Sequence, residues 1–162
     1  MRRDRRGPPA PFVLPPARAG ALDPGMFCTS AEGVPGVGGA YALVVELDAP
    51  LAVALPGRAA VTLAAGRYVY CGSARGPGGI RARVGRHLKR GKTVRWHIDR
   101  LTEAGRVPGV WVFPGGNECA LVAALAGWPV PLPGFGSSDC AACSSHLLGW
   151  PPGAEAPWGG WR

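Results

Sequence analysis

A carboxylate on an apolar helix face is the feature of this sequence that most directly suggests chemistry. Glu118 shares one face of a predicted helix with three apolar residues that follow it at helical spacing: Leu121, Val122 and Leu125. A buried carboxylate without a partner costs several kcal/mol. We therefore expect Glu118 to face a cation, a metal ion or a hydrogen-bond donor, rather than to serve only the dipole of its helix.

Two tyrosines fall inside predicted strands rather than loops. Tyr41 belongs to a predicted strand at 39–48, and Tyr70 belongs to another at 67–72. A phenol can position or deprotonate a water molecule, although its ordinary pKa near ~10 means that the second role needs a neighbouring cation or metal. Tyrosine is also common in sheets for packing reasons alone, so the residues by themselves leave both interpretations open.

A predicted helix at 80–90 carries nitrogen-bearing side chains along the flank of its apolar stripe. Arg83, His87 and Arg90 recur there at helical spacing. A guanidinium beside a buried stripe could hold a phosphate oxygen, and His87, one turn away, is a candidate base. The alternative for Arg83 is a solvated arginine with no specific partner.

The positive charge of the chain is concentrated in one stretch. The net charge is +8, and ten of the 18 lysines and arginines lie between Arg75 and Arg106, where only two acids accompany them. Such a basic surface suits a polyanion, and arginine meets phosphate oxygens in pairs. The alternative is an arginine-rich solvated surface. The candidate nucleic-acid-binding residues are Arg81, Arg83, Arg86, Lys89, Arg90, Lys92 and Arg95.

The five cysteines do not suggest a disulfide framework, because their number is odd and they are scattered. Cys71 and Cys119 are expected to be small buried hydrophobic residues rather than nucleophiles. Cys140, Cys143 and His146 invite a zinc site, with Cys119 or His97 as the fourth ligand. Their spacing differs from the common zinc-finger patterns, so structural zinc is not the favoured interpretation.

Three further polar residues have roles that the sequence leaves open. His97 is equally compatible with a hydrogen-bonded core histidine and with a functional one. Asp99 lies two residues after it. Asp139 lies in a Gly/Ser loop, where it could orient a histidine or cap a turn.

The elements that must position these side chains belong to one α/β domain at 39–150. Hydrophobic residues form 47% of the chain, which is enough for a packed core. Alternation and helical periodicity predict strands at 39–48, 51–55, 67–72, 110–113 and 145–150, and helices at 80–90, 94–104 and 118–126. We expect 1–38 to be a disordered Arg/Pro/Gly-rich tail and 151–162 a Pro/Gly/Trp tail. The sequence has neither a membrane-length apolar run nor a secretory signal, so we expect a cytoplasmic protein without membrane contact.

The order of these motifs resembles that of the GIY-YIG nuclease superfamily. Gly-Ala-Tyr at 39–41 and Tyr-Cys-Gly at 70–72 stand where that family has its two tripeptides, and Arg83 and Glu118 stand where it has its catalytic arginine and late glutamate. A little-characterised prokaryotic branch is closer still, with matching segments YVYCGSA at 68–74, RHL at 86–88, WHID at 96–99, EC at 118–119, GFGSSDC at 134–140 and SHL at 145–147.

The resemblance implies a fold, an activity and a set of roles. The fold would be a small, mostly antiparallel sheet flanked by helices, and the activity would be metal-dependent hydrolysis of nucleic-acid phosphodiesters, with DNA expected rather than RNA. Glu118 would hold one Mg²⁺ or Mn²⁺ and Arg83 would clamp a phosphate oxygen. Tyr41, with Tyr70, would position or deprotonate the attacking water, with His87 as the alternative base.

Two other functions remain open at this point. One is a nucleic-acid-binding module that keeps the fold but has lost cleavage, and the other is a zinc-stabilised interaction domain. The segment between Tyr41 and Tyr70 is longer than in the minimal nucleases and holds the extra predicted strand at 51–55. The mutual placement of the two phenols is therefore the feature that the structure must decide.

Overall fold

A five-stranded antiparallel sheet forms the centre of the protein. The computed structural model describes residues 25–137 and 140–159. The sheet has the order β1-β6-β2-β5-β7 and is built from β1 (Met26–Cys28), β2 (Gly39–Leu47), β5 (Gly66–Ala74), β6 (Val110–Pro114) and β7 (Leu147–Gly149). A separate two-stranded sheet joins β3 (Leu51–Val53) to β4 (Val61–Leu63). The helices are α1 (Gly79–Leu88), α2 (His97–Ala104) and α3 (Glu118–Ala124).

Strand β2 is central because both of its faces are apolar. Its side chains alternate between two clusters of buried residues, one on each face of the sheet. Tyr41 and Leu43 belong to the first cluster, together with Ile80 of α1 and Leu101 of α2. The second cluster contains Ala42 and its neighbours with Leu121 of α3. The predicted mixed α/β fold with a mostly antiparallel sheet is therefore confirmed.

The register of β2 and β5 places the two predicted tyrosines on one face. Tyr41 lies opposite Gly72, and Tyr70 lies opposite Leu43. Residues two apart on a strand share a face, so both phenols point towards α1. The longer segment between them is accommodated by the β3–β4 hairpin, which leaves their pairing undisturbed.

Local hydrogen bonds decide where two of the helices begin. The Asn117 side chain accepts the N–H groups of Cys119 and Ala120 and caps α3, as the sequence predicts. Helix α2 begins at His97, three residues later than predicted. The Asp99 carboxylate accepts the N–H groups of Arg95 and Trp96, and Val94 stays exposed in the preceding loop.

The domain extends beyond both predicted boundaries. Strand β1 pairs with β6, and Val34 is buried, so residues 26–38 belong to the domain and not to a tail. Ala156 and Trp158 are also buried, against the second face of the sheet, where the sequence predicts a C-terminal tail. Strand β4 was not predicted either. Among the described residues, none of the helices has the length and apolar character needed to cross a bilayer.

Candidate functional site

One cleft brings together the four side chains singled out by the sequence. Tyr41, Tyr70, Arg83 and Glu118 all line a cavity of about 400 Å³. A second hollow of about 230 Å³ shares the two phenols and the guanidinium with the first and continues to Trp96 and His97. Residues from β2, β5, α1 and α3 therefore meet around one space, although they are far apart in the sequence.

Tyr41 and His87 form a hydrogen-bonded pair at the base of this cleft. The Tyr41 Oη and His87 Nε2 atoms are 2.7 Å apart, and both side chains are buried. Burial raises the pKa of Tyr41 well above its ordinary value of 10.0. Burial also lowers the pKa of His87 to about 3, because the opposing effect of Asp99 is smaller. At neutral pH the pair is thus a neutral phenol against a neutral imidazole.

The second ring nitrogen of His87 is unsatisfied. Its Nδ1 atom is buried and has no hydrogen-bond partner among the described residues. The Tyr41 hydroxyl is therefore the hydrogen-bond contact that holds the imidazole in place. This environment does not suit His87 as the base that the sequence suggested, because an imidazole with a pKa of about 3 is a weak proton acceptor at neutral pH.

Tyr70 completes the aromatic side of the cleft. Its ring centroid lies 6.4 Å from that of Tyr41, and burial raises its pKa to about 12. Two glycines make room for the phenols. A Cβ atom at Gly72 would collide with the Tyr41 ring and hydroxyl, and one at Gly136 would lie 2.8 Å from Tyr70. Gly136 lies in the GFGSSDC segment at 134–140, for which the sequence predicted no role in the cleft.

Arg83 is held over an indole ring at the cleft. Its guanidinium carbon is 4.2 Å from the centroid of the Trp96 ring, and that of Arg86 is 4.6 Å from the same centroid. Trp96 is partly exposed and stands directly before α2. The indole limits the directions in which Arg83 can point, and it was not predicted as a site residue.

Asp99 holds Arg86 in place beside the Trp96 ring. Its carboxylate is fully buried and pairs with Arg86 at 2.6 Å. Burial acts to raise the pKa of Asp99, but hydrogen bonds from the Arg95 and Trp96 N–H groups and from Arg86 outweigh it, so the pKa is lowered. Asp99, whose role the sequence left open, therefore anchors Arg86 and the start of α2. Arg86 is correspondingly a structural residue as much as a surface cation.

Glu118 faces a cation, as its position on an apolar face suggested. Its Oε2 atom lies 3.8 Å from Nη2 of Arg75, and only 20% of its side chain is exposed. The same Oε2 atom is buried and accepts no hydrogen bond in the described part of the chain. Arg75 is 70% exposed and thus a weak partner. Sequence reasoning did not identify Arg75, which follows β5 and lines the same cleft.

The predicted basic surface is less uniform than the sequence suggested. Lys92 differs from its prediction as a nucleic-acid-binding residue, because only 2% of its side chain is exposed. It pairs with Glu103 at 3.2 Å and donates to the carbonyls of His87 and Lys89. These contacts leave its ammonium group unavailable to a phosphate.

Three of the other candidate cations also donate to backbone carbonyl groups, and one of them is Arg86, which donates to the carbonyl of Thr93. Arg81 donates to the carbonyls of Ala31 and Glu32, and Arg90 donates to those of Glu103 and Gly105. Arg81 and Arg90 nevertheless remain exposed, as do Lys89 and Arg95, so these four and Arg83 in the cleft are the candidates with open surface.

Four potential metal ligands lie beside the cleft. The ligand atoms of Cys119, Cys140, Cys143 and His146 are all within 4.8 Å of one another, so the cluster could hold a metal ion. Cys119 is half-buried rather than fully buried, and of the two alternatives predicted as the fourth ligand it is the one in the cluster. His97 is not part of the cluster and packs instead against Phe135, with ring centroids 5.8 Å apart.

Cys71 and Asp139 are the two remaining residues that the sequence analysis discussed. Cys71 is fully buried, and burial raises the pKa of its thiol, as expected for a small hydrophobic residue. Asp139 lies outside the described residues.

Comparison with known proteins identifies the family. Comparisons with curated proteins and with solved structures give no match. Residues 40–156 match the family described as Domain of unknown function DUF123. The matched range contains the central strands, the three helices, the cleft and the cysteine cluster. The chain therefore belongs to the DUF123 family.

Proposed function

We propose that this protein is a metal-dependent endonuclease that hydrolyses phosphodiester bonds in nucleic acid. The observation that carries the proposal is the single cleft lined by Tyr41, Tyr70, Arg83 and Glu118. These four residues supply one carboxylate, one guanidinium and two phenols, which together can bind a cation, a phosphate and a water. The order of motifs, which resembles that of the GIY-YIG nucleases, supports the same activity.

Glu118 is the residue that would hold the metal ion. Its buried Oε2 atom has no hydrogen bond within the described structure and is paired there with the exposed Arg75, so a cation bound at this oxygen would give it a stronger partner. Mg²⁺ and Mn²⁺ are hard cations that accept one carboxylate together with water and phosphate oxygens. When bound, such an ion would neutralise charge on the scissile phosphate and its leaving oxygen.

Arg83 would bind a non-bridging oxygen of the scissile phosphate. Its guanidinium lines the cleft, and the Trp96 ring restricts its orientation. A preoriented cation stabilises charge without reorganising during the reaction. Arg75, which is mostly exposed and close to Glu118, could turn towards a phosphate group once that carboxylate is neutralised.

Tyr41 would orient the attacking water, and His87 would position Tyr41. The raised pKa of the phenol and the lowered pKa of the imidazole both oppose transfer of the phenolic proton at neutral pH. The hydrogen bond between them instead fixes the direction of the hydroxyl. In this proposal His87 is a positioning residue and not the general base.

The two high phenol pKa values also favour a second candidate. A cleft that holds a phosphate but cannot readily deprotonate water would serve a nucleic-acid-binding module without cleavage. Both candidates bind nucleic acid electrostatically, with DNA expected rather than RNA, and affinity should fall as salt rises.

An activity panel separates the two candidates. Supercoiled plasmid and branched, nicked, flapped and single-stranded DNA and RNA are incubated with the full chain and Mg²⁺ or Mn²⁺, with a chelator control. Cleavage that requires the metal supports the endonuclease. Salt-sensitive binding without cleavage of any substrate selects the binding module.

A further inference from the structure

We propose that Cys119, Cys140, Cys143 and His146 form a structural zinc site next to the cleft. The site differs from the Mg²⁺ or Mn²⁺ position proposed above in its residues and in its chemistry. It uses three sulfurs and one imidazole, whose ligand atoms all lie within 4.8 Å of one another. No part of this inference requires the protein to be a nuclease.

The donor set is the first argument. Thiolates and imidazole suit Zn²⁺ and disfavour Mg²⁺ and Mn²⁺, which prefer oxygen ligands. In a tetrahedral zinc site, metal–ligand distances of about 2.0–2.3 Å place the ligand atoms roughly 3.3–3.8 Å apart, so the cluster needs only small movements to bind the ion. Four protein ligands complete a tetrahedron and leave no position for substrate, which is typical of a structural site.

The imidazole provides the second argument. The His146 side chain is buried, and its Nε2 atom makes no hydrogen bond to any described residue. Its backbone is held on both sides, because its N–H donates to Phe135 and its carbonyl accepts from Cys71 of β5. A buried polar atom normally has a partner, and a metal ion would supply one here.

The connection between α3 and β7 provides the third argument. From Leu125 to His146 the described residues form neither helix nor strand. Connections of this length inside a compact domain are uncommon, and where they are ordered they usually have a function. A metal ion would join the C-terminal end of this segment, with Cys140, Cys143 and His146, to Cys119 in the first turn of α3. It would therefore hold the two ends of the connection together.

The zinc site would also fix the position of Glu118. Cys119 follows Glu118 directly in the first turn of α3, and Cys140 and His146 line the same cleft as the carboxylate. Metal binding at Cys119 would hold that turn against the loop. This consequence rests on the proposed endonuclease function, whereas the zinc site itself does not.

Metal analysis of the wild-type chain is the direct test. The full protein is purified under reducing conditions without chelator, and its zinc content is measured by mass spectrometry. We expect about one zinc ion per chain. Cys143→Ser should lose most of this zinc, whereas Cys28→Ser should retain it, because Cys28 is a free cysteine on β1 outside the cluster.

Two measurements on the wild type keep the test independent of how well the variants fold. Cobalt added to the metal-free chain should give the visible absorption of a tetrahedral thiolate site, and zinc should abolish it. A chelator should lower the melting temperature, and added zinc should restore it. Zinc below about a tenth of an equivalent, with neither cobalt absorption nor restored melting, would overturn the proposal. A disulfide between two of the clustered cysteines in the reduced preparation would overturn it as well.

The failure of the zinc site and the failure of the endonuclease can be told apart. Glu118→Gln should keep its zinc and lose cleavage, because the variant retains all four ligands. A wild type with full zinc and no cleavage would remove only the endonuclease. A wild type that cleaves without zinc would remove only the structural site.

Discussion

Tyr41 Oη and His87 Nε2 lie 2.7 Å apart, although 46 positions of sequence separate the two residues. The contact joins the N-terminal part of β2 to α1, and both side chains are buried where they line the cleft. Because the imidazole is neutral and its other nitrogen has no hydrogen-bond partner among the described residues, the phenol is its main anchor. The pair thus links the stability of the core to the orientation of a candidate site residue.

Replacing Tyr41 by phenylalanine should reduce both stability and cleavage. The ring packing stays, but His87 Nε2 loses its partner, which should cost about 1–3 kcal/mol of unfolding free energy. Loss of the orienting hydroxyl should slow plasmid nicking on the order of a hundredfold. Denaturant titration and single-turnover nicking measure the two effects.

Tyr68→Phe is the matched control for that variant. It removes a phenolic hydrogen bond to the Ala64 carbonyl in the same sheet but outside the cleft. Its stability should fall by roughly 1 kcal/mol while nicking persists. Equal nicking rates in the Tyr41 and Tyr68 variants would remove the role assigned to Tyr41.

His87 should make the protein sensitive to mild acid. Its pKa in the folded chain is about 3, below the ordinary value of 6.5. Between these values the unfolded chain binds a proton that the native chain does not, so the free energy of unfolding falls as the pH decreases through this window. The slope contributed by one such group is at most about 1.4 kcal/mol per pH unit.

The variant His87→Gln cannot titrate and should lose this contribution. Its unfolding free energy should therefore depend less steeply on pH between about 6.5 and 4.5, where carboxylates contribute less than at lower pH. Denaturant titrations of both proteins across this range provide the comparison. Parallel curves would mean that His87 is already charged in the native state.

A methyl group at position 72 should disturb the cleft. The Cβ atom of Gly72→Ala would collide with the Tyr41 ring and hydroxyl, so either the ring or the paired strands must shift. We expect a loss of about 1–3 kcal/mol. Gly33→Ala is the control, because a Cβ there meets nothing within 4 Å, and its effect should stay within about 0.5 kcal/mol. The account of the cleft would fail if the two substitutions cost the same.

Replacing Arg83 should slow nicking far more than the loss of one positive charge elsewhere on the protein. Arg83→Ala should slow nicking by a factor on the order of 100 to 1,000, because it removes the guanidinium aimed into the cleft. Arg100→Ala removes the same charge from an exposed position on α2 outside the cleft, and should change the rate only severalfold. Similar losses of nicking rate in both variants would mean that Arg83 contributes only its charge and does not bind the scissile phosphate.

Local sequence patterns were sufficient for much of the fold, whereas the membership of the cleft was predicted from the resemblance to the GIY-YIG nucleases. The alternation in β2 and the periodicity of α1 each depend on residues close together in the chain. The Asn117 cap and the apolar face shared by Glu118 are equally local features. These patterns alone singled out Glu118, and the order of motifs that resembles the GIY-YIG nucleases added Tyr41, Tyr70 and Arg83 to it.

The features that the sequence did not reveal depend on distant partners. Strand β1 has only three residues in a Gly-rich and Pro-rich segment, and its pairing with β6 alone defines it. The sequence predicts Lys92 as a surface cation because its ion pair with Glu103, on α2, cannot be inferred from neighbouring residues. In the structure its side chain is buried. The fourth member of the cysteine cluster lies 21 positions before Cys140, so spacing could not decide between Cys119 and His97.

The central claim is that Glu118 holds the ion needed for cleavage, and its most direct test is metal-dependent nicking by Glu118→Gln. This change keeps the shape of the side chain and removes its charge. With Mg²⁺ or Mn²⁺, the wild type and the exposed-site control Glu32→Gln should nick supercoiled plasmid, and Glu118→Gln should be slower on the order of a thousandfold. Nicking at equal rates by all three proteins, or by none of them, would contradict the claim.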